Sequence, residues 1–242
     1  GNSIASGGNQ NTLVGDEAGT ALTTGDDNVA IGYQAGDALT TGGSNIAIGK
    51  SALSTDDTDS GNVAVGHSAM ENANGSNTQS VAVGFEALHN LSTGGGCTAV
   101  GYQAGEAIST GIGGTFIGQL AGTDVTGNNN TAVGTQALFT ETSGADNVAI
   151  GHDAGRVQNG ASNNVFVGSF AGAKATTASH NTAIGYGSFG GVDGSSANNG
   201  EQNTCIGRFA GRNLEGNADA NTLVGDGAGE NMTTGDDNIV IG

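Results

Sequence analysis

Short, largely apolar triplets recur along the whole chain, most of them opened by a polar residue and all closed by glycine. The unit is five residues long, Asn-x-small-Val/Ile-Gly, as in NTLVG ending at Gly15, NVAIG at Gly32 and NIAIG at Gly49. Fourteen copies run to NIVIG at Gly242, and the spacings between their glycines are 17, 17, 17, 18, 17, 17, 16, 17, 17, 17, 22, 18 and 17. No 3.6-residue periodicity is visible, and a helical repeat of roughly 33–47 residues does not fit so short a period. A 17-residue period predicts one coil of a parallel β-solenoid. At ~3.3 Å per extended residue the coil perimeter is about 56 Å, enough for two flattened layers, each holding a strand of roughly five residues. The expected fold is therefore all-β, a parallel β-solenoid or β-roll of about fourteen coils in one repeat domain over residues 1–242. Stacked at ~4.8 Å, the coils would make a rod of about 65 Å.

Side chains alternate along a strand, so the second and fourth motif positions share one face and the third points the other way. The fourth position is always Val or Ile: Val14, Ile31, Ile48, Val65, Val83, Val100, Ile117, Val133, Ile150, Val167, Ile184, Ile206, Val224 and Ile241. These fourteen are assigned to the core. The third is mostly Ala, with Phe116, Phe166, Cys205 and Leu223 among the larger variants. Both faces are thus largely apolar, and a coil this small covers only one of them. A strand buried on both sides implies another layer, most simply a further copy of the chain. After the closing Gly come two variable residues and an Ala, then either Gly or a large apolar residue, which reads as the opposite wall of the coil. The rest is turn-forming, as in TTGDDN and TTGGSN.

Asn opens eleven motifs: Asn11, Asn28, Asn45, Asn62, Asn130, Asn147, Asn164, Asn181, Asn203, Asn221 and Asn238. One coil above the other, their amides are placed to bond along the stack as a structural ladder. The closing Gly, present in every copy, marks a bend that needs positive φ or has no room for Cβ.

Composition supports this reading. Gly accounts for 47 of 242 residues and Pro for none, which excludes collagen and disfavours helices. With 35% hydrophobic residues there is still material to bury. The net charge of −18 argues against nucleic acid and anionic membranes as partners, and the five basic residues, Lys50, Arg156, Lys174, Arg208 and Arg212, are scattered. No apolar run approaches the ~20 residues of a membrane span, so membrane insertion is not expected.

Strings such as DNVAIGYQAGDALTTGGSNIAIG and HNTAIGYGSF resemble the repeats in the heads of YadA-like trimeric autotransporter adhesins. They are more similar still to the Asn-Thr-Ala-x-Gly-Tyr repeats of phage tail fibres and related surface fibres. The resemblance covers Asn11 to Gly242. It implies a β-roll, left-handed in the adhesin heads, assembled as an extracellular homotrimeric rod on a virion or a cell surface. It also implies that such a rod holds or forms an element that binds a host receptor or glycan. The 17-residue period is longer than that of the adhesin heads, and the sequence contains no membrane anchor or chaperone domain.

Candidate chemistry is sparse. Cys97 stands in the Asn column and Cys205 in the third column, about six coils or ~30 Å apart, too far for a disulfide. Cys205 replaces a core Ala. His67 and His152 share the column after the closing Gly but lie about five coils apart and cannot share a metal. The mixed residues of that column, Tyr33, Lys50, Phe85, Arg208 and Asp226, indicate a solvent face. His89 and His180 fall in turns. The pairs Asp26-Asp27, Asp56-Asp57 and Asp236-Asp237 supply oxygen ligands of the kind Ca²⁺ prefers, but on non-consecutive coils and without the calcium nonapeptide; a solvated acidic surface is the expectation and no cofactor is expected.

No column holds convergent acid and base groups on adjacent coils, so the expectation is no enzyme. A non-enzymatic structural fibre or adhesin shaft is the leading class, with an autotransporter-type adhesin head as its nearest alternative. An ice-binding solenoid is a lesser one, because Thr12, Thr98, Thr115, Thr131 and Thr182 alternate irregularly with Val and Ile on the face of the fourth column. The 22-residue coil between Gly185 and Gly207 predicts a bulge over Gly191–Gln202. Asn11–Gly32 and Asn221–Gly242 agree at 16 of 22 positions. Repeat proteins need polar terminal caps and neither end shows one, so the chain reads as a window on a longer fibre, continuing in register or stacking end to end.

Overall fold

The computed structural model describes residues 8–55, 58–73, 79–190 and 197–242. They form two compact units, Gly1–Leu120 and Ala121–Gly242. The first contains seven strands: β1 Thr12–Val14, β2 Val29–Ile31, β3 Ile46–Ile48, β4 Val63–Val65, β5 Val81–Val83, β6 Thr98–Val100 and β7 Thr115–Ile117. Each pairs in parallel with the next, one period further along, as Thr12 with Val29 and Val29 with Ile46. The second contains β8 Thr131–Val133, β9 Thr140–Glu141, β10 Val148–Ile150, β11 Val157–Gln158, β12 Val165–Val167, β13 Thr182–Ile184, β14 Thr204–Ile206, β15 Thr222–Val224 and β16 Ile239–Ile241. Here β8, β10, β12, β13, β14, β15 and β16 repeat the same ladder, while β9 and β11 form a small parallel pair on another wall. Each unit is a parallel β-solenoid with one three-residue strand per coil.

The strands are three residues long rather than five because the chain turns just before the opening Asn, as at Asp27 (φ 58°), and again at the closing Gly. The closing Gly has φ between +131° and +146°, a region open to glycine alone. At Gly32 a Cβ would also lie 2.5 Å from the carbonyl oxygen of Gly49 on the next coil. Left-handed φ and lack of space therefore act together at this position.

The opposite wall is made of turns, with β9–β11 its only strand pair among the described residues. Left-handed residues recur in three columns: before the opening Asn (Asp27, φ 58°), two after the closing Gly (Gln34, φ 56°) and four after it. In that last column Gly alternates with Leu53, Met70, Leu88, Leu138 and Phe189, held at φ 46–52°. An L-residue there costs about 1–2 kcal/mol, which burial of a large side chain offsets.

In most coils the interior is filled by a size exchange; the coil after Gly84 instead buries both Leu88 and Leu91. Where the fourth residue after the closing Gly is itself Gly, the seventh is usually large: Gly36 with Leu39, Gly105 with Ile108, Gly211 with Leu214. Cβ atoms on these glycines would stand 2.8, 2.9 and 3.0 Å from the Leu39, Ile108 and Leu214 methyls. Where the fourth is large, as at Met70, the seventh shrinks to Ala73. Phe166 fills its coil from the third motif position, against Gly172 and Ala175, and Phe116 takes the room that an Asn side chain would need at Gly114.

The core assignment is corrected. The third column is the interior: Ala30, Ala47, Ala64, Ala82, Ala99, Phe116, Ala132, Ala149, Phe166, Ala183, Cys205 and Leu223 are at most 1% exposed. The fourth column faces outward. Val14 (56% exposed), Ile31 (36%), Ile117 (40%) and Ile241 (76%) are open, as are Val100, Ile150, Ile184 and Ile206. Ile48, Val65, Val83, Val133, Val167 and Val224 are half-buried, covered only by neighbours above and below. The reason is volume: a 17-residue coil whose inner space already holds two Ala and one large residue has no place for a β-branched side chain on every rung.

Candidate interaction surface

In both units the second and fourth columns make one outward sheet face. Every side chain on it is Thr, Val or Ile, and none is charged. The strand pairing repeats these groups at the ~4.8 Å strand separation, and successive outward positions lie ~6.7 Å apart. Seven rungs of two columns, about 11 Å wide with their side chains, give an uncharged strip of roughly 350 Å² per unit.

Aromatic residues border this face just past the closing Gly. In the first unit His67, Phe85 and Tyr102 stack on successive coils, with centroids 5.1 and 5.4 Å apart and planes within 12°. In the second, His152, Phe170, Tyr186 and Phe209 meet edge to face at 5.2, 5.9 and 5.4 Å. The Arg208 and Arg212 guanidinium groups sit 5.0 and 4.5 Å from the Phe209 ring. Arg208 also makes a two-bond contact with Asp226, at 2.9 and 3.0 Å, which holds the Asp226 carboxyl below its ordinary range. The sequence reading found the column and missed the stacking, although His67, Phe85 and Tyr102 on consecutive coils carried the signal. The Tyr33 hydroxyl titrates above its usual value, chiefly because of the Glu17 charge. Burial raises the Asp37 carboxyl.

The Asn column lies inside, and its bonds run mostly to the main chain. The side-chain oxygen of each Asn accepts the backbone N–H of the residue one coil on: Asn28 to Asn11 at 2.8 Å, Asn45 to Asn28 at 3.0 Å and Asn62 to Asn45 at 2.9 Å. In the second unit the same bond links Asn130, Asn147, Asn164, Asn181, Asn203, Asn221 and Asn238 at 2.8–3.1 Å. The amide nitrogen donates to a carbonyl on the neighbouring coil, as Asn28 does to Gly42 and Asn164 to Ala178. In the second unit neighbouring amides also bond each other, for instance Asn164 Nδ2 to Asn147 Oδ1 at 3.1 Å.

The substitutes in this column are instructive. Ser80 Oγ accepts from the Cys97 N–H at 3.2 Å, and Cys97 Sγ donates to Gly111 O at 3.4 Å, the bond an Asn amide makes elsewhere. Both cysteines are free and buried, and burial raises both thiols, Cys205 to about 12.

A second polar ladder accounts for part of the acidic character. The side chains of Asp26, Ser60, Ser162, Ser179, Asp219 and Asp236 accept the backbone N–H of Asn9, Gly43, Ala145, Ser162, Glu201 and Asp219 on adjoining coils. Asp26 and Asp236 thus bond to the main chain; Asp27 and Asp237 are left-handed and exposed, and Asp56-Asp57 lie outside the described residues. Among the described residues no three His, Cys, Asp or Glu side chains gather into a metal-binding group. His67, His152 and His180 are exposed, and His89 bonds Asn72 and the Ser68 carbonyl.

Of the expected bulge, residues 191–196 lie outside the described residues. Residues 197–202 are back in the stack: Asn198 bridges both Ala175 and Gly216. A shallow polar cleft lined by Thr177, Asn199, Glu201, Asn217 and Asp219 follows. The sequence matches no protein-family model and no curated protein.

Proposed function

We propose that the chain is a non-enzymatic structural fibre segment, a shaft whose Thr/Val/Ile face is covered by further copies of itself, with a homotrimer as the assembly. The observation that carries this reading is the outward position of a column that is Val or Ile on every rung. Monomeric proteins rarely leave more than about 300–600 Å² of contiguous apolar surface open. The strip of each unit, roughly 350 Å², already reaches that range, and it runs unbroken by any charge over seven rungs. All of the −18 net charge lies off these strips, so an acidic chain brings them together without burying a carboxylate. The resemblance to tail-fibre and trimeric adhesin repeats supports the same reading, and with it an extracellular address and a role in holding a receptor- or glycan-binding element.

Sedimentation velocity on the purified protein tests it. The expected species has three times the 23.3 kDa chain mass. Ile31→Asp together with Ile150→Asp should convert it to monomer with an unchanged far-UV spectrum, since both side chains point outward. A wild-type chain that stays monomeric overturns the reading. If that monomer also shapes ice crystals, the flat, regularly spaced and uncharged face serves the ice-binding function instead.

A further inference from the structure

The geometry points to His89 as an acid-sensitive latch on the turn wall of the first unit: its neutral ring completes a relay of side-chain bonds across successive coils that cannot take up a second proton without breaking. The relay starts at the Ser68 carbonyl, 3.2 Å from His89 Nδ1. His89 Nε2 stands 3.0 Å from Asn72 Nδ2. The same Asn72 nitrogen donates to Asn90 Oδ1 at 3.0 Å, and Asn90 Nδ2 donates to the Glu106 carbonyl at 3.1 Å.

The two ends fix the direction of every bond between them, because a main-chain carbonyl only accepts. Glu106 O requires the Asn90 nitrogen, which turns Asn90 Oδ1 toward Asn72. Asn72 must then present its nitrogen, and His89 Nε2 must accept from it. Ser68 O in turn requires a proton on Nδ1. One arrangement satisfies all four links, the neutral ring with its proton on Nδ1.

A proton added at Nε2 sets two donors against each other, Nε2–H and Asn72 Nδ2–H. Turning the Asn72 amide over only moves the fault along, since its oxygen then meets Asn90 Oδ1. Turning Asn90 as well brings its oxygen against the Glu106 carbonyl. The relay therefore opens at Asn72, its exposed member. The charged ring has another partner within reach: Glu71 Oε2 lies 3.9 Å from His89 Nδ1. Glu71, His89 and Glu106 share the column five residues after the closing Gly, so an acidic residue flanks the histidine on the coil to either side. Glu86, on the histidine's own coil, accepts from Gln103 at 2.7 Å, and His67 Nδ1 lies 3.0 Å from Ser68 Oγ. Imidazole is the side chain that exchanges a proton between about pH 5 and 8. Across that range the latch passes from the Asn72–Asn90 relay to a His89–Glu71 ion pair. The main-chain bonds from Asn72 N–H to His89 O and from Asn90 N–H to Glu106 O stay in place, so acid loosens the wall without unstacking the coils.

Nitrogen-15 NMR of the labelled protein tests this. At about pH 7.5 the His89 ring should be the Nδ1–H tautomer, the less common form of free imidazole. At about pH 5 the ring should be charged, and the Asn72 side-chain amide protons should exchange with water at least about tenfold faster, after correction for the intrinsic effect of pH. The side-chain signals of Asn72 and Asn90 should follow the ring along one titration curve, while those of the buried Asn28 and Asn45 stay still. In His89→Gln the Asn72 and Asn90 signals should not move over the same range. An Nε2–H tautomer near neutral pH overturns the inference. So do Asn72 and Asn90 signals that ignore the ring, or that still titrate in His89→Gln, which traces them to Glu71, Glu86, Glu106 or His67 instead.

Discussion

Replacing Asn164 by alanine should cost the second unit roughly 2–5 kcal/mol, far more than a surface Asn is worth. The magnitude comes from what the side chain holds. Its Oδ1 accepts the Asn181 N–H at 2.9 Å, and its Nδ2 donates to Ala178 O at 2.8 Å and to Asn147 Oδ1 at 3.1 Å. Asn164 and Asn181 are buried, so alanine leaves a main-chain donor and a main-chain acceptor without partners or water. Each such orphan costs about 1–3 kcal/mol. The chain contains the milder substitutions already. Serine, as at Ser80, keeps the acceptor for the next N–H; cysteine, as at Cys97, keeps a weak donor to the carbonyl and loses the oxygen. The expected order of stability is Asn, then Ser, then Cys and Ala. Urea unfolding followed by far-UV circular dichroism gives the midpoints, and an unchanged m-value ascribes the shift to stability. Hydrogen exchange at the Asn181 amide gives the local readout. If Asn164→Ala shifts stability by less than about 0.5 kcal/mol while the Asn181 amide stays protected, the ladder is geometric coincidence and its energy lies elsewhere.

Two further predictions rest on single buried groups. Gln158 is 1% exposed and neither of its amide atoms has a partner, at a position where other coils carry Leu39, Leu91 or Leu214. Gln158→Leu should stabilise the second unit by about 1–3 kcal/mol, read as a raised urea midpoint; a lowered midpoint means the amide is satisfied after all. Burial raises the Cys205 thiol from 9.0 to about 12, so the folded state holds its proton more tightly than the unfolded. Stability is then unaffected by this thiol below its unfolded value and falls by up to about 1.4 kcal/mol per pH unit as pH rises between the two values. Cys205→Ala should remove that share of the alkaline slope, and an identical slope in the variant would show that the thiol does not couple to folding.

The period, the parallel stacking and the alignment of the Asn column were legible because each depends on spacing alone; that the Asn side chains lie inside and bond mostly to the main chain was not. The direction of the strand was not. When all three positions of a triplet such as Val29-Ala30-Ile31 are apolar, alternation sorts them into two faces without saying which points inward. Volume carried the missing signal. The third column is held mostly to Ala and, wherever it grows to Phe116 or Phe166, a neighbouring position shrinks to Gly114 or Gly172. Compensation of that kind is the mark of a closed space, and the Val/Ile column shows none. The left-handed Leu88, Leu138 and Phe189 were beyond sequence reading for another reason: such residues rarely take positive φ, and only the packed coil around them makes it tolerable.

An outward Val/Ile column admits a second explanation, that β-branched residues are there to keep the backbone extended. The two outward columns separate the possibilities. Both lie in the same three-residue strands and make the same sheet, so strand propensity acts on them alike. Thr serves that purpose as well as Val, and it occupies the second position in seven of the fourteen strands, from Thr12 and Thr98 to Thr204 and Thr222. It never occupies the fourth. A hydroxyl is therefore accepted beside the Asn edge of the face and refused in the column next to the closing Gly, where Phe85, Tyr102 and Tyr186 border it. Propensity does not distinguish two neighbouring columns in this way; removal from water does, because a hydroxyl buried without a partner costs about 1–3 kcal/mol on every rung. The fourth column, with its aromatic border, is then where a second copy would seat most closely, and the Thr-bearing column would lie nearer the wet rim. A charge placed in the fourth column at Ile150 should accordingly weaken association more than the same charge in the second column at Val148, and equal effects would return the Val/Ile column to a purely local role.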